Sequence, residues 1–304
     1  MISFVIPCYN SEKTIEKVVD EIKDTIKDEA FEIILVNDAS PDNTFEVIRK
    51  LCNDNKNIVG VNLSENFGQH AALMAGFHQV GGDIIVCLDD DGQTPANEAR
   101  KLIDAVRQGH DVAYAHYENK KHSGFRNFGS KINDLMAVVL LDKPKNLQIS
   151  SYFAAKRFIV EEMKKYENPY PYVMGLVLRT TKDIINIDIT HREREVGQSG
   201  YTFSKLVKLW MNGFTAFSVK PLRIATACGF FSAVAGFIYG IVTIVRKLLG
   251  LNYVMGFSAL MAVLLFIGGL NLIMLGLIGE YIGRIYISLN KSPQFVVREI
   301  IRAE

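Results

Sequence analysis

Two long stretches without charge constrain the fold of this chain more than any other feature. No Asp, Glu, Lys or Arg occurs in residues 224–245, and none occurs in residues 248–279. A helix of about 20 apolar residues is long enough to cross the hydrocarbon core of a bilayer. Two core helices of a soluble protein are the alternative, but neighbouring charge-free stretches of this length are rare in soluble domains. We therefore predict a hairpin of two transmembrane helices.

The charges that flank these stretches predict the orientation of the hairpin. A hairpin leaves both outer flanks on one side of the membrane, and basic residues are enriched on the cytoplasmic side. The short loop holds Arg246 and Lys247, which favour the opposite orientation. The outer flanks carry more basic residues: Lys220, Arg223, Arg284, Lys291, Arg298 and Arg302. We therefore expect both flanks, and the part of the chain before them, in the cytoplasm.

Charge and cysteine content exclude several classes of protein. The formal net charge is +1, from 34 Lys and Arg against 33 Asp and Glu, so nothing indicates a polyanion-binding protein. The four cysteines are scattered and form no CxxC pair, which disfavours a zinc site or a disulfide framework. Residues 2–9 are apolar but short and lack a basic start, so we expect no signal peptide there.

Before the hairpin, apolar runs alternate with segments of helical periodicity. This alternation predicts an α/β domain with a mainly parallel sheet covered on both faces. Ligands of such sheets bind beyond the carboxyl ends of the strands. No GxGxxG follows the first strand, which disfavours a dinucleotide-binding domain. The predicted strands are 2–7, 31–36, 58–63, 83–88 and 112–115, and the predicted helices are 12–27, 43–53, 69–80 and 97–108.

Three adjacent carboxylates follow one of the predicted strands. Asp89, Asp90 and Asp91 come directly after the apolar run that ends at Leu88, and Gln93 lies two positions further on. Adjacent acids repel one another unless a cation sits among them. Oxygen ligands at this spacing suit Mg²⁺ or Mn²⁺, although a solvated acidic turn is the alternative. Two further polar loops, at residues 7–10 and 37–42, follow neighbouring strands and should line the same edge of the sheet.

The polar loops together resemble family 2 glycosyltransferases of the GT-A fold. The closer resemblance is to the polyisoprenyl-phosphate glycosyltransferases, which include dolichol-phosphate mannose synthases and bacterial enzymes that glucosylate undecaprenyl phosphate. The segment 276–286, GLIGEYIGRIY, is similar to the bacterial branch. The motifs that carry the resemblance are IPCYN at 6–10, VNDAS at 36–40, NFG at 66–68 with Ala71, Ala75 and Gly76, and DDDGQ at 89–93.

The resemblance implies a donor side of the site. The nucleotide would contact Pro7, Tyr9, Asp38 and Asp89, and a divalent ion, Mg²⁺ or Mn²⁺, would bind at Asp89, Asp91 and Gln93. In this family the donor's leaving group is a nucleoside diphosphate, and a bound cation stabilises the charge that develops on it. Asp89 and Asp91 would therefore be catalytic.

The resemblance also implies an acceptor side, which binds the lipid phosphate. Arg126 and Ser130 match an arginine–serine pair of the family, one helical turn apart. A guanidinium suits phosphate because it donates in a fork. Arg126 taken alone would be read as an ordinary surface arginine, and the full set of motifs favours the phosphate-binding role. Catalytic roles would fall on Arg126, Ser130 and Arg194, and phosphate-binding roles also on Ser199 and Tyr201, from a basic loop that begins near His191 and includes Gly197.

The sequence departs from the family pattern at three places. Many relatives carry an aspartate where residues 146–153 read NLQISSYF, without an acid. Asn37 replaces a frequent aspartate, and Gln69 replaces a frequent basic residue. These changes leave two alternatives open: a membrane protein that binds a nucleotide sugar without catalysis, and a processive polysaccharide synthase. The synthase is disfavoured because the only tryptophan, Trp210, is not in a QxxRW motif.

The expected protein therefore has four segments. Residues 1–202 form a cytosolic GT-A catalytic domain, 203–220 an interfacial amphipathic helix, 221–285 two transmembrane helices, and 286–304 a cytosolic tail. We expect it in a bacterial inner membrane, as a multi-pass protein that transfers a sugar from a UDP-sugar to undecaprenyl phosphate with inversion. The product would serve cell-envelope glycan modification. Glycines in both predicted spans allow close helix packing, so we also expect a homo-oligomer.

Overall fold

The chain divides into two units, and the C-terminal segment belongs to the first of them. A computed structural model of the protein describes residues 1–92, 94–117, 138, 143–190, 220–249, 256–290 and 292–303. The first unit comprises Met1–Trp210 together with Lys291–Glu304, and the second comprises Met211–Asn290.

The first unit is built on one sheet that contains eight strands in the described part of the chain. The strands are β1 (Ile2–Cys8), β2 (Phe31–Asn37), β3 (Ile58–Leu63), β4 (Ile84–Cys87), β5 (Val112–His116), β6 (Phe153–Lys156), β7 (Ile184–Asp188) and β8 (Val297–Arg302). Their order is β7-β5-β6-β4-β1-β2-β3-β8. The centre of the sheet is parallel, because β1 pairs with β2 and β4, and β2 pairs with β3, all in parallel. The predicted α/β fold with a mainly parallel sheet is confirmed.

Antiparallel pairing was not predicted, and it occurs at two positions. Strand β6 lies between β4 and β5 and is antiparallel to both. Strand β8 is antiparallel to β3 and forms that edge of the sheet. The prediction missed β8 because VREIIR carries three charged residues among six, which is typical of a solvated segment. Residues 286–304, expected only as a tail, therefore contain a strand of the catalytic unit.

Helices cover the sheet on both faces. The helices of the first unit are α1 (Ile15–Thr25), α2 (Thr44–Asp54), α3 (Gln69–Phe77), α4 (Ala99–Arg107), α5 (Arg157–Lys164) and α6 (Val173–Thr180), with a 3₁₀ turn at Ala96–Glu98. Helix α1 buries Ile15, Val18, Val19 and Ile22, which is the spacing of one helical face. All four helices predicted in this region are present, and three of them are shorter than predicted.

Helix α3 packs directly on the centre of the sheet, and its sequence explains how. Its residues from Ala71 to Phe77 are all buried. A Cβ atom at Gly76 would lie 2.5 Å from Cγ1 of Val5 on β1, so only glycine permits this approach of helix to strand. The helix starts after Gly68, whose φ of 89° is a conformation that glycine adopts without strain. The close packing holds the start of α3 at the edge where β1 and β4 end.

The second unit contains two long apolar helices, α7 (Lys220–Leu248) and α8 (Phe257–Leu289). Large apolar side chains on them are exposed, among them Phe231 at 70% and Phe237 at 72%. An exposed apolar surface of this extent is typical of contact with lipid or another protein. In the part of the chain that the structure describes, one helical segment, Phe266–Leu289, is long and apolar enough to cross a membrane, and a shorter apolar segment is Ala225–Tyr239.

Candidate active site

The loops that follow β1, β2, β3 and β4 lie at one edge of the sheet, because these strands run in parallel. Each of these loops contains one residue with a positive φ: 58° at Asn10, 50° at Ala39, 89° at Gly68 and 73° at Gly92. Asn10 and Ala39 carry side chains, for which this conformation is uncommon. Strained backbone of this kind clusters at functional sites. The polar loops that were expected to meet therefore lie at one edge of the sheet, and each of the four loops there contains a residue with a positive φ.

Asp38 organises the second of these loops together with the third. Its Oδ1 accepts the backbone N–H of Phe67 at 2.8 Å, and its Oδ2 accepts that of Gly68 at 2.9 Å. Its own carbonyl oxygen accepts Nδ2 of Asn66 at 3.2 Å. Burial raises the pKa of Asp38, and the two backbone donors oppose that rise. The sequence predicted Asp38 in the site, and the structure adds that its carboxylate orders the turn at residues 66–68.

Asp90 ties the acidic loop to the loop that follows β1. Its Oδ2 accepts the backbone N–H of Tyr9 at 2.9 Å and the hydroxyl of Ser11. Burial raises the pKa of Asp90, and these hydrogen bonds lower it. The ring of Tyr9 remains exposed, at 49%. Pro7 lies within β1, paired with Val36. Sequence reasoning gave Asp90 no role of its own, and its contacts show that it positions Tyr9.

Asp89 lies deeper and is held on both sides by neutral side chains. Its Oδ1 accepts Nε2 of Gln69 at 2.8 Å, and its Oδ2 accepts Oγ of Ser151 at 2.5 Å. Gln69 stands where the family pattern often has a basic residue, and Ser151 lies in the segment where that pattern has an acid. The two departures from the pattern therefore meet at one carboxylate.

The electrostatics of the acidic loop favour a cation. Burial is the main cause that raises the pKa of Asp89 to about 6, and the neighbouring carboxylates of Asp91 and Asp90 raise it further against the hydrogen bonds from Ser151 and Gln69. A divalent ion would remove this repulsion, and carboxylate oxygens are the ligands that Mg²⁺ and Mn²⁺ prefer. The donor set at Asp89 and Asp91 therefore fits the predicted metal. In the described ranges, no three His, Cys, Asp or Glu side chains form a metal-binding group, and the third predicted ligand, Gln93, lies outside them.

Tyr117, which sequence reasoning did not select, lies close enough to Asp89 and Asp91 to interact with their charges. The pKa of Tyr117, at the end of β5, is raised by burial and by the nearby carboxylates of Asp89 and Asp91, and its hydroxyl hydrogen-bonds Ser150. Tyr117 lies at the carboxyl end of a strand. That position is the feature of the sequence from which its place in the site could have been predicted.

The acceptor side of the predicted site lies outside the described residues. This applies to Arg126, Ser130, Arg194, Ser199 and Tyr201, and also to the predicted amphipathic segments at 125–141, apart from residue 138, and 203–217. The structure therefore brings together Pro7, Tyr9, Asp38, Asp89 and Asp91, which are the predicted donor-side residues within its described part.

With this geometry in place, two family models identify the chain. The model of Glycosyl transferase family 2 matches residues 3–164, and the model of the GtrB C-terminal hairpin matches residues 220–285. The chain therefore belongs to glycosyltransferase family 2 and is a glycosyltransferase, as the motifs predicted. The hairpin match and the apolar segment Phe266–Leu289 together indicate a membrane protein.

Curated relatives extend the similarity over nearly the whole chain. The undecaprenyl-phosphate 4-deoxy-4-formamido-L-arabinose transferase of Photorhabdus laumondii is 33% identical over 305 residues, covering 99% of this chain and 94% of the relative. The transferase of the same name from Proteus mirabilis is 31% identical over 305 residues, with the same coverage. That of Pectobacterium carotovorum is 34% identical over 307 residues, again covering 99% and 94%.

Solved structures confirm the GT-A fold. Glucosyl-3-phosphoglycerate synthase of Mycobacterium tuberculosis, in complex with Mn²⁺, UDP-glucose and phosphoglyceric acid, is similar with a TM-score of 0.53. It is 19% identical, and the likeness covers 70% of this chain and 78% of that chain. At this identity the likeness concerns the fold alone.

Proposed function

We propose that this protein transfers a sugar from a UDP-sugar to undecaprenyl phosphate, with inversion at the anomeric carbon. The observation that carries the proposal is the acidic loop at Asp89–Asp91 beside the Asp38 loop, in a chain of glycosyltransferase family 2. The acceptor is supported by relatives that are named undecaprenyl-phosphate transferases. The nucleotide is supported by the UDP-glucose complex of the similar synthase.

The proposed reaction is a single displacement. An oxygen of the lipid phosphate attacks the anomeric carbon, the bond from that carbon to the β-phosphate oxygen breaks, and UDP leaves with the electron pair. Attack from the face opposite the leaving group inverts the configuration. A phosphate monoester is largely a dianion near neutral pH, so the nucleophile carries no proton that a base must remove. The absence of an acid at residues 146–153 is compatible with this mechanism.

A divalent ion would be held by Asp89 and Asp91, with Gln93 as the third proposed ligand. Such an ion neutralises the charge that develops on a departing diphosphate. The raised pKa of Asp89 supports this proposal, because it reflects burial together with the neighbouring carboxylates of Asp91 and Asp90, and a bound cation would offset both. Mn²⁺ in the complex of the similar synthase supports it as well.

The lipid phosphate would be held by arginine side chains. Arg126, Ser130 and Arg194, with Ser199 and Tyr201, carry this part of the proposal through the family resemblance. Guanidinium groups bind phosphate with two parallel hydrogen bonds and a full positive charge. Tyr9, Pro7 and Asp38 would receive the nucleotide.

The path of the chain supports two membrane crossings with the catalytic unit in the cytoplasm. Strand β8 follows α8 in the sequence and pairs with β3, which precedes α7. The chain therefore leaves and re-enters the same folded unit, so the number of crossings between these points must be even. If Phe266–Leu289 spans the bilayer, α7 must span it as well. The basic flanks then favour the cytoplasmic side for both ends.

Transfer of radiolabel tests this function directly. The full-length protein in detergent is mixed with undecaprenyl phosphate, Mg²⁺ and one labelled donor at a time. The donors are UDP-glucose, UDP-N-acetylglucosamine, UDP-galactose, UDP-4-deoxy-4-formamido-L-arabinose and GDP-mannose. We expect label in the lipid phase from one UDP-sugar, with the opposite anomeric configuration by NMR. Label from GDP-mannose alone, or retained configuration, would contradict the proposal.

A further inference from the structure

We infer that Asn62 and Glu299 position the donor-binding loop after β2, through hydrogen bonds that cross three strands of the sheet. The inference rests on the proposed function, since it assigns these residues to UDP-sugar binding. Neither residue belongs to a motif that the sequence analysis selected. Glu299 lies on the last strand of the chain.

The strand register places three polar side chains next to one another. Asn37 on β2 is paired with Asn62 on β3, and Asn62 is paired with Glu299 on β8. Nδ2 of Asn37 donates to Oδ1 of Asn62 at 2.9 Å, and Nδ2 of Asn62 donates to Oε1 of Glu299 at 3.4 Å. Neighbouring positions on a sheet share a face, so the three side chains form a continuous row. We call this row the amide ladder.

The two ends of the amide ladder set the orientation of both amides. The backbone N–H of Ser40 donates to Oδ1 of Asn37 at 3.2 Å, so the NH₂ group of Asn37 must point the other way. A carboxylate only accepts hydrogen bonds, so Asn62 must turn its NH₂ group toward Glu299. In this arrangement each hydrogen bond of the ladder joins a donor to an acceptor. Reversing either amide would place two donors or two acceptors against each other.

The ladder ends at the loops that are proposed to bind the nucleotide. Ser40 receives the backbone N–H of Asn10 on its Oγ at 3.2 Å, which connects the loop after β1. Ala39, between Asp38 and Ser40, has a φ of 50° that an alanine adopts only when its surroundings enforce it. The hydrogen bond from Ser40 to Asn37 is one such constraint. The ladder therefore acts on donor binding through the backbone of residues 38–40.

Burial argues that the ladder has a role beyond folding. Asn37 is 3% exposed and Asn62 is 7% exposed, in a sheet whose other central positions are mostly apolar. Paired apolar residues would fill such positions without any polar group to satisfy. Two buried amides at these positions are explained if they fix the position of another group. That group is the backbone N–H of Ser40.

The far end of the ladder is fixed by several contacts of the C-terminal segment. A guanidinium nitrogen of Arg49 on α2 lies 3.6 Å from Oε1 of Glu299. Nη2 of Arg298 donates to the carbonyl of Ser64 at 3.1 Å, and the ring of Phe295 lies 5.8 Å from that of His78. These contacts keep β8 in register with β3. Because β8 follows the hairpin in the sequence, the donor loop is completed only after the helices have been made.

Glu299→Ala, Glu299→Gln and Arg302→Ala test the inference in the full-length protein. Glu299→Ala removes the acceptor at the end of the ladder and should raise the KM for the UDP-sugar about tenfold, equivalent to about 1.4 kcal/mol. Its kcat should stay within about twofold of wild type, since the acidic loop is untouched. Glu299→Gln keeps an accepting oxygen and should restore the KM. Arg302 lies on the same strand and donates to Gln79, so Arg302→Ala is the matched control.

Amide hydrogen exchange separates this inference from the proposed function. It reports the 37–43 segment whether or not the protein uses a UDP-sugar. Exchange there should accelerate about tenfold or more in Glu299→Ala, and not in Glu299→Gln or Arg302→Ala. Equal exchange in all variants, or a loss of kcat with an unchanged KM, would overturn the inference. If only the transfer assay fails on every donor while exchange behaves as expected, the positioning role stands and the donor assignment is wrong.

Discussion

Two loops at the same edge of the sheet use aspartate in opposite ways. In the Asp38 loop, both carboxylate oxygens receive backbone N–H groups, from Phe67 and Gly68, and these donors oppose the rise in pKa caused by burial. In the acidic loop, Asp89 accepts hydrogen bonds from neutral side chains, and burial, followed by the charges of two neighbouring carboxylates, raises its pKa to about 6. In the first loop, backbone N–H groups of the same chain satisfy the carboxylate of Asp38. In the second, we propose that a divalent cation balances the charge of the carboxylates.

We infer from this difference that the protein alone completes the Asp38 loop, whereas a ligand completes the acidic loop. A satisfied carboxylate stabilises the fold and offers a fixed surface to a nucleotide. Adjacent carboxylates repel one another, which costs stability, and a divalent ion bound among them relieves that repulsion. The same substitution, Asp to Asn, should therefore change stability in opposite directions in the two loops.

Asp91→Asn should have the largest effect on activity. It removes one charge of the proposed metal site with little change of shape, and we expect transfer to fall about 10³-fold, as when a principal electrostatic contact in a transition state is lost. In metal-free buffer, the variant should unfold at the same temperature as wild type or higher, because repulsion in the acidic loop decreases. Initial rates and thermal unfolding in chelator check both parts. Activity within about tenfold of wild type would remove Asp91 from the metal site.

Asp38→Asn should instead destabilise the protein. An amide can accept from only one side, so either Phe67 or Gly68 loses its acceptor and faces an NH₂ group. We expect the free energy of unfolding to fall by about 3 kcal/mol, from one charge-assisted hydrogen bond and one unsatisfied donor. Denaturant unfolding in detergent checks the sign. If Asp38→Asn were as stable as wild type while Asp91→Asn were destabilised, the contrast between the two loops would be reversed.

His70 allows a test with a smaller expected effect near the Asp38 loop, because it follows the turn that the Asp38 carboxylate binds. Its Nδ1 is buried without a hydrogen-bond partner in the described part of the chain, and burial lowers its pKa from 6.5 to about 4. The unfolded chain takes up the proton first as the pH falls. The contribution of the neutral imidazole to stability is therefore complete above about pH 6.5 and is lost as the pH falls toward 4.

His70→Gln should remove this acid sensitivity. Between pH 7 and pH 5, wild type should lose about 2 kcal/mol of unfolding free energy more than the variant. The matched control is His110→Gln, which replaces a partly exposed histidine that contacts Asp183. Unfolding curves of the three proteins at both pH values make the comparison. An equal loss in wild type and His70→Gln would show that the imidazole is not held neutral.

Much of the donor side was predictable from the sequence, because each part of it is local. Apolar runs such as Ile33–Val36 are typical of buried strands, and the polar loops after parallel strands meet at one edge. The contacts of those loops were not predictable. The acceptance of two N–H groups by Asp38 depends on a turn that lies 29 and 30 positions further along the chain.

The edge strand β8 escaped prediction for a related reason. Its charged residues mask its periodicity, and its partner β3 lies more than two hundred residues earlier, with |i−j| of 237 between Asn62 and Glu299. Pairing at that distance is set by the return of the chain after the hairpin, which no local pattern encodes. The amide ladder depends on this pairing, so it could not be predicted from the sequence either.

Binding of Mn²⁺ to the full-length protein tests the contrast between the loops most directly. Free Mn²⁺ is measured by electron paramagnetic resonance at neutral pH, with and without UDP, for wild type, Asp91→Asn and Asp38→Asn. We expect one Mn²⁺ per chain in wild type and in Asp38→Asn, and loss of this ion in Asp91→Asn. No bound Mn²⁺ in wild type with UDP, or equal binding in Asp91→Asn, would contradict the assignment of the acidic loop as the metal site.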